Sequence, residues 1–158
     1  MKNNLVILIV NFLFFFSITN SSAFNFETKK IKLIKEKNLI IASEGKAYLP
    51  DSDLEIKADE FEYKKDLGIL KSNGNGLATI KTKNIKINFD KSIYNQKNST
   101  LVAEGNIKIN EFSKEIYIET QKIFYDKKNN FINSTTKTLL KDNLQNSYSV
   151  TSFNFDIE

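Results

Sequence analysis

Four groups of residues in this chain have types and spacings that could do chemistry. Glu104 and Glu111 are two nearby carboxylates, the raw material of general acid and base work. Asp51-Ser52-Asp53-Leu54-Glu55 sets oxygen donors at alternate positions, as a calcium loop does. Gly74-Asn75-Gly76 begins like a loop that cradles a dinucleotide. Tyr63, Tyr94 and Tyr125 recur at a fixed interval and could stack on sugars or bases. Each group has a plainer reading. Nothing in the sequence brings the two glutamates into one cleft. The acidic pentapeptide lacks the glycine and distal glutamate of an EF-hand loop, so a polar turn fits it better. No helical pattern follows Gly76, so a hairpin turn fits there. The tyrosines hold the same place before each turn, as a repeated packing element would.

Composition narrows the chemistry further. The 158 residues include no histidine and no cysteine. That removes the commonest general base and metal ligand, and with them every Ser/His/Asp or Cys/His nucleophile. The sequence therefore implies no enzyme, no cofactor and no metal. All 23 basic residues are lysines, spread along the chain against 19 acids. Without arginine there is no bidentate readout of bases or phosphates, so solvated strand faces fit better than a nucleic-acid partner. Asn98-Ser99-Thr100 and Asn133-Ser134-Thr135 match the glycosylation pattern, as chance allows in an asparagine-rich chain.

Residues 1–23 read as a secretory signal. Lys2 gives a positive start, Leu5 to Phe16 is apolar apart from Asn11, and Ser21-Ser22-Ala23 supplies small residues for cleavage. The run is shorter than the ~20 residues that span a bilayer, which disfavours an uncleaved anchor. A lipoprotein is excluded, because no cysteine stands at the cleavage site. Residues 24–158 are one domain's length, and without disulfides its own core must hold it together.

The elements that would position these residues are strands. Leu54-x-Ile56-x-Ala58 leads to Tyr63, Ile85-x-Ile87-x-Phe89 to Tyr94, and Ile116-x-Ile118-x-Thr120 to Tyr125. Each start lies 31 residues after the last, the mark of similar units that bury their apolar faces on one another. A second line travels with the first. Ile41-Ala42-Ser43-Glu44-Gly45, Leu70-Lys71-Ser72-Asn73-Gly74 and Val102-Ala103-Glu104-Gly105 each end an apolar stretch in glycine. Alternation of apolar and polar residues with period two predicts strands with one buried face. Turn residues separate them at 50–53, 64–66, 73–76, 95–98, 126–130 and 141–143. Each unit thus reads as two or three short strands, one ending at the tyrosine and the next running into the glycine. Ala42, Ala58, Ala78, Ala103 and Thr120 share faces with isoleucine and phenylalanine. Two interiors fit that mixture: a sandwich filled by its own side chains, or one held open along an apolar seam. A weaker fourth copy, Tyr148-x-Val150-x-Ser152 with Phe155, leaves the sequence ending inside a unit.

Together these features resemble the OstA-like β-jellyroll family of lipopolysaccharide transport, over about residues 24–158. Val102-Ala103-Glu104-Gly105-Asn106-Ile107 is similar to that family's Ala-x-Gly-Asn-Val element. Gly74-Asn75 keeps the glycine and asparagine, Gly45 lacks the asparagine, and position 136 is threonine. The resemblance implies an all-β fold, a V-shaped jellyroll of stacked antiparallel strands with repeats of ~31 residues. It implies a periplasmic location and a groove for lipid A acyl chains. On this sequence the groove would be lined by Ile56, Ala58, Ile85, Ile87, Phe89, Ala103, Ile107, Ile109, Ile116 and Ile118. It further implies partners: lipopolysaccharide, and other jellyroll domains of the transport bridge joined head to tail through exposed sheet edges. Two kinds of member fit, a soluble bridge protein of about this size and an outer-membrane assembly protein whose jellyroll precedes a barrel. The ending inside a unit favours the second as an expectation, with the barrel to follow, since nothing in this chain could close a membrane barrel. A structural β-solenoid or adhesin fragment without a lipid ligand is the alternative. A carbohydrate-binding module would require Tyr63, Tyr94 and Tyr125 exposed on one face.

Overall fold

The computed structural model describes residues 23–50 and 52–158. The proposed signal, residues 1–22 of it, lies outside the described residues.

The described chain is an antiparallel meander. In order it runs β1 (Asn25–Ile34), β2 (Leu39–Tyr48), β3 (Leu54–Lys64), β4 (Ile69–Ile80), β5 (Ile85–Asn95), β6 (Thr100–Glu111) and β7 (Ile116–Asp126). Four short strands follow: β8 (Phe131–Ser134), β9 (Thr138–Lys141), β10 (Ser147–Val150) and β11 (Phe153–Asp156). Neighbours in sequence are neighbours in the sheet from β1 to β8. The end of the stack is split. β8 and β9 pair with opposite ends of β7, and β11 and β10 continue beside them.

Every long strand from β3 to β7 changes course in its middle. Ladder registers slip between Lys57 and Glu60, Asn73 and Gly76, Asn88 and Lys91, and Glu104 and Ile107. In β3 the buried apolar positions are Leu54, Ile56 and Ala58, then Phe61 and Tyr63. In β5 the buried positions are Ile85, Ile87 and Phe89, then Ser92 and Tyr94. The buried phase flips between the two limbs of these strands, while the extra residue of each bulge lies in the even partner strand. The flip keeps the apolar side inward on both limbs of a bent strand. Each strand therefore contributes one limb to each of two facing walls, and a single core lies between them.

The even strands carry the extra residue. Gly74 and Asn75 in β4 have φ of 76° and 45°, and Gly105 and Asn106 in β6 have 80° and 47°. Two successive left-handed residues turn the strand without ending it, a conformation that favours glycine and tolerates asparagine. Here the structure corrects the sequence reading. Residues 73–76 are no turn between strands, and the strands do not stop at the glycines. They pass through them, so a unit has two long strands rather than two or three short ones.

Candidate functional site

The interior is built as rows of side chains that cross the strands. In the first wall Ala47, Ile56, Ala78, Ile87, Ile109, Ile118 and Leu140 stand opposite one another in consecutive ladders. Strands lie ~4.8 Å apart, so this aliphatic row runs for roughly 30 Å. Beside it lie Leu54, Ile80, Ile85, Glu111 and Ile116. The second wall alternates tyrosine with aliphatic residues. Leu33, Ile40, Tyr63, Leu70, Tyr94, Leu101, Tyr125, Ile132 and Phe155 form one row.

Of the ten residues expected to line a groove, nine are in the first wall. Ile56, Ala58, Ile85, Ile87, Phe89, Ile107, Ile109 and Ile118 are buried there, and Ile116 is half-buried at the rim. Ala103 is buried in the second wall, in the row Ala42, Phe61, Ser72, Ser92, Ala103 and Ile123. The interior is tightly filled: Ile87, Ile109, Ile118, Ala103 and Leu101 are each 0% exposed. Phe89 covers Gly76, where its ring occupies the space a side chain would need. The sequence reading missed the second wall's Phe61, Leu70, Leu101, Ile123 and Ile132. For Phe61 and Ile123 the signal is alternation beyond the bend in the opposite phase, whereas Leu70 and Leu101 keep the phase of the first-wall residues of their own strands.

The tyrosines are walls, not a platform. Tyr63, Tyr94 and Tyr125 are buried, which removes the carbohydrate-stacking reading. Tyr63 Oη donates to Gln96 Oε1 at 3.1 Å. Burial pushes the Tyr94 and Tyr125 hydroxyls up, and the negative charge of Asp53 adds to the effect.

The bends carry a polar clasp. Asn75 Nδ2 donates to Asp59 Oδ2 at 2.7 Å, and Asn106 Nδ2 to Asp90 Oδ2 at 2.9 Å. Each aspartate folds over the adjacent glycine, Gly74 or Gly105, where a β-carbon would collide with its carboxylate. At the third bend the equivalent positions are Gln121, Thr136 and Lys137. There β8 ends, residues 135–137 leave the ladder, and β9 begins. Thr120 Oγ1 lies 3.1 Å from Ser134 Oγ, 2.7 Å from Thr136 Oγ1 and 3.0 Å from Thr138 Oγ1. A concavity of about 630 Å³ opens beside it, lined by Ile107, Glu119, Lys137 and Leu139 among others.

The two walls meet again along the side opposite the bends. Aromatic, polar and aliphatic contacts cross this seam among the described residues. The Phe24 ring meets Tyr63 at 5.1 Å and Tyr94 at 5.7 Å, both edge-on. Lys127 Nζ donates to Ser52 Oγ at 2.9 Å and lies 2.9 Å from Asp53 Oδ1. Ile157 is buried in a small pocket with Ile85, Glu111 and Lys114, and Lys114 Nζ donates to the Glu158 carbonyl at 3.2 Å. Burial alone would raise the Asp53 carboxyl. Hydrogen bonding by Thr82 and Lys127, with the lysine's charge, outweighs it and holds the group below the usual carboxylate range.

The other candidate chemistries dissolve in this geometry. Glu104 is on the outer face, paired with Lys91 at 3.0 Å and Lys122 at 2.8 Å. Glu111 points inward and accepts from the backbone of Ser113 and Lys114 in the β6–β7 turn. Glu55 is shared by Lys46, Lys57 and Lys81. Among the described residues no cluster of three or more acidic side chains is arranged to hold a metal ion.

No family model matches the chain, and no curated protein sequence matches it. Among solved structures it is similar to LptH from Pseudomonas aeruginosa, described as the LptA-homologous periplasmic component of the conserved lipopolysaccharide transport device. The superposition covers 66% of this chain and 76% of that one, with a TM-score of 0.56 and 12% sequence identity. At that identity the likeness speaks for architecture: the fold is an all-β jellyroll of the OstA-like kind.

Proposed function

We propose that the chain is a non-enzymatic lipid conduit in lipopolysaccharide transport. Residues 1–23 direct export, and residues 24–158 form a periplasmic jellyroll whose apolar interior receives lipid A acyl chains. The observation that carries this reading is the aliphatic row from Ala47 to Leu140, which runs the length of the stack without a polar side chain. Each methylene moved from water into such a lining gains ~0.8 kcal/mol, and a uniform lining offers no site at which a sliding chain would stall.

The partners are further jellyroll domains of the same bridge, joined edge to edge. β1 and the split pair β10 and β11 are the outer strands. Ile31 and Leu33 of β1 face the interior side, opposite Ala42 and Ile40, yet are 61% and 51% exposed. At the other end Tyr148 stands opposite Leu140 and is also exposed. Unpaired edges of this kind accept another strand. Their charges are complementary. Residues 25–38 hold five lysines and two glutamates, whereas residues 142–158 hold three acids and no lysine.

The test is site-specific photo-crosslinking. Crosslinkers at Ile87, Phe89, Ile107 and Ile118 should capture lipopolysaccharide, and those at the outward positions Lys86, Asn88 and Lys108 should not. Capture only at the outward positions would defeat the interior route. One observation favours a second reading, a structural β-jellyroll without a lipid ligand: the interior is filled by its own side chains. Silence at all seven positions in a folded protein would decide for it.

A further inference from the structure

A filled interior sets a mechanical condition on the conduit. Ile87, Ile109 and Ile118 leave no space for an acyl chain while the walls are in contact, so the walls must part before one can be admitted. The bend side cannot part, because every strand runs continuously through it from β3 to β7. The seam can. It is crossed by an aromatic contact at Phe24, an aliphatic one at Ile157, and a polar bridge from Ser52 and Asp53 to Lys127.

The polar bridge is the closure built to open. Lys127 is shared between two partners of the other wall, donating to Ser52 Oγ at 2.9 Å and lying 2.9 Å from Asp53 Oδ1. The side chains of Lys127 and Asp53 are 30% and 18% exposed, so water reaches both partners when they separate. A partly hydrated pair is worth little net free energy, unlike a fully buried one. Asp53 keeps a second partner in its own wall, since Thr82 Oγ1 donates to Oδ2 at 2.5 Å. It is therefore not orphaned when Lys127 leaves. The charge of Asp53 is felt by the buried Tyr94 and Tyr125 of the opposite wall, so the bridge lies against the apolar interior.

Building on the conduit reading, we propose that the Ser52–Asp53–Lys127 bridge is a latch on the seam, and that acyl chains pass sideways into the interior when it opens. Sideways admission spares a lipid from threading its chains through the length of a packed stack. It also leaves the polar headgroup outside in water throughout.

The absence of cysteine permits a direct test. Asp53→Cys and Lys127→Cys are combined and joined by a bis-maleimide with a cleavable disulfide spacer, with a photo-crosslinker at Ile109 as reporter. The probe is purified lipopolysaccharide. The bridged protein should capture it about fivefold more slowly than the same protein after reductive cleavage, and Lys127→Ala should capture it about twofold to fivefold faster than the parent. Cleavage restores the open form within one folded sample, so a folding defect of the double variant cannot mimic the result. Equal capture by bridged and cleaved protein overturns the latch and leaves the conduit standing. No capture by any form, the parent included, overturns the conduit and the latch with it.

Discussion

At its first two bends the chain turns on glycine and asparagine beneath an aspartate; at the third it turns on hydroxyls. Asp59 with Gly74 and Asn75, and Asp90 with Gly105 and Asn106, let a strand change direction while its ladder resumes on the far side. Where Thr136 replaces the glycine, the strand comes apart into β8 and β9. Residues 135–137 then leave the ladder, and Thr120, Ser134, Thr136 and Thr138 satisfy one another in its place. A left-handed pair thus preserves continuity that a β-branched residue cannot, because a branched side chain disfavours positive φ. The concavity of about 630 Å³ among residues 106–108, 119–121 and 137–139 lies where this strand comes apart.

The sharpest way to break this comparison is to put a branched side chain at both kinds of bend. Gly105→Val combines a strained φ with a collision against Asp90 and is expected to cost about 3 kcal/mol, while Thr136→Val should cost about 1 kcal/mol. Urea midpoints of the two variants give the answer, and equal losses would erase the distinction. Next in size is Thr120→Val, which strips the hydroxyl hub and leaves Thr138 and Ser134 short of a partner, for about 2 kcal/mol. A loss confined to β8 and β9 in amide exchange would place the effect at the third bend. Asn106→Ala should cost about 1 kcal/mol through the lost clasp and the left-handed backbone, and Asn106→Gly should recover about half of it. If Gly recovers nothing, the clasp alone is what matters at that bend.

The smallest effect is one of pH. Asp142 accepts from the Leu144 and Asn146 backbone, the Asn146 side chain and Tyr148 Oη, and so organises the turn between β9 and β10. Asn146's side-chain hydrogen bond, more than any other contact, holds its carboxyl below the usual range. A carboxylate depressed by folding stabilises at neutral pH, and that contribution is lost as pH falls through its lowered pKa. Protection of β9 and β10 amides should therefore fall on acidification below the ordinary carboxylate range. Asp142→Asn should flatten that dependence without touching β3 to β6.

Much of the first wall was legible because it follows one unbroken alternation from each strand's first residue. Ile85, Ile87 and Phe89 are read directly as one buried face. Past the bend of an odd strand the phase inverts, and the first phase then assigns Phe61 and Ile123 to the wrong side. Gly74-Asn75 reads as part of a turn, because a sequence does not distinguish a bulge inside a strand from a break between two. Asp59 and Asp90 stand 31 residues apart, as do Asn75 and Asn106, so the clasp left a trace in spacing. The pairing of Asp53 with Lys127 left none. It arises from how two walls fold over each other, and no local pattern encodes that.

The meander has a consequence for the order of folding. Ladder contacts from β1 to β7 join strands adjacent in sequence, so the sheet can grow hairpin by hairpin with short loops to close. The Ser52–Lys127 contact spans 75 residues and can form only once five intervening strands are in place. Seam closure is therefore the late, slow event of folding, and a partly built molecule is an open sheet with its apolar rows in water. During that interval the chain is most exposed to aggregation, and a chaperone or a bound amphiphile would protect it most.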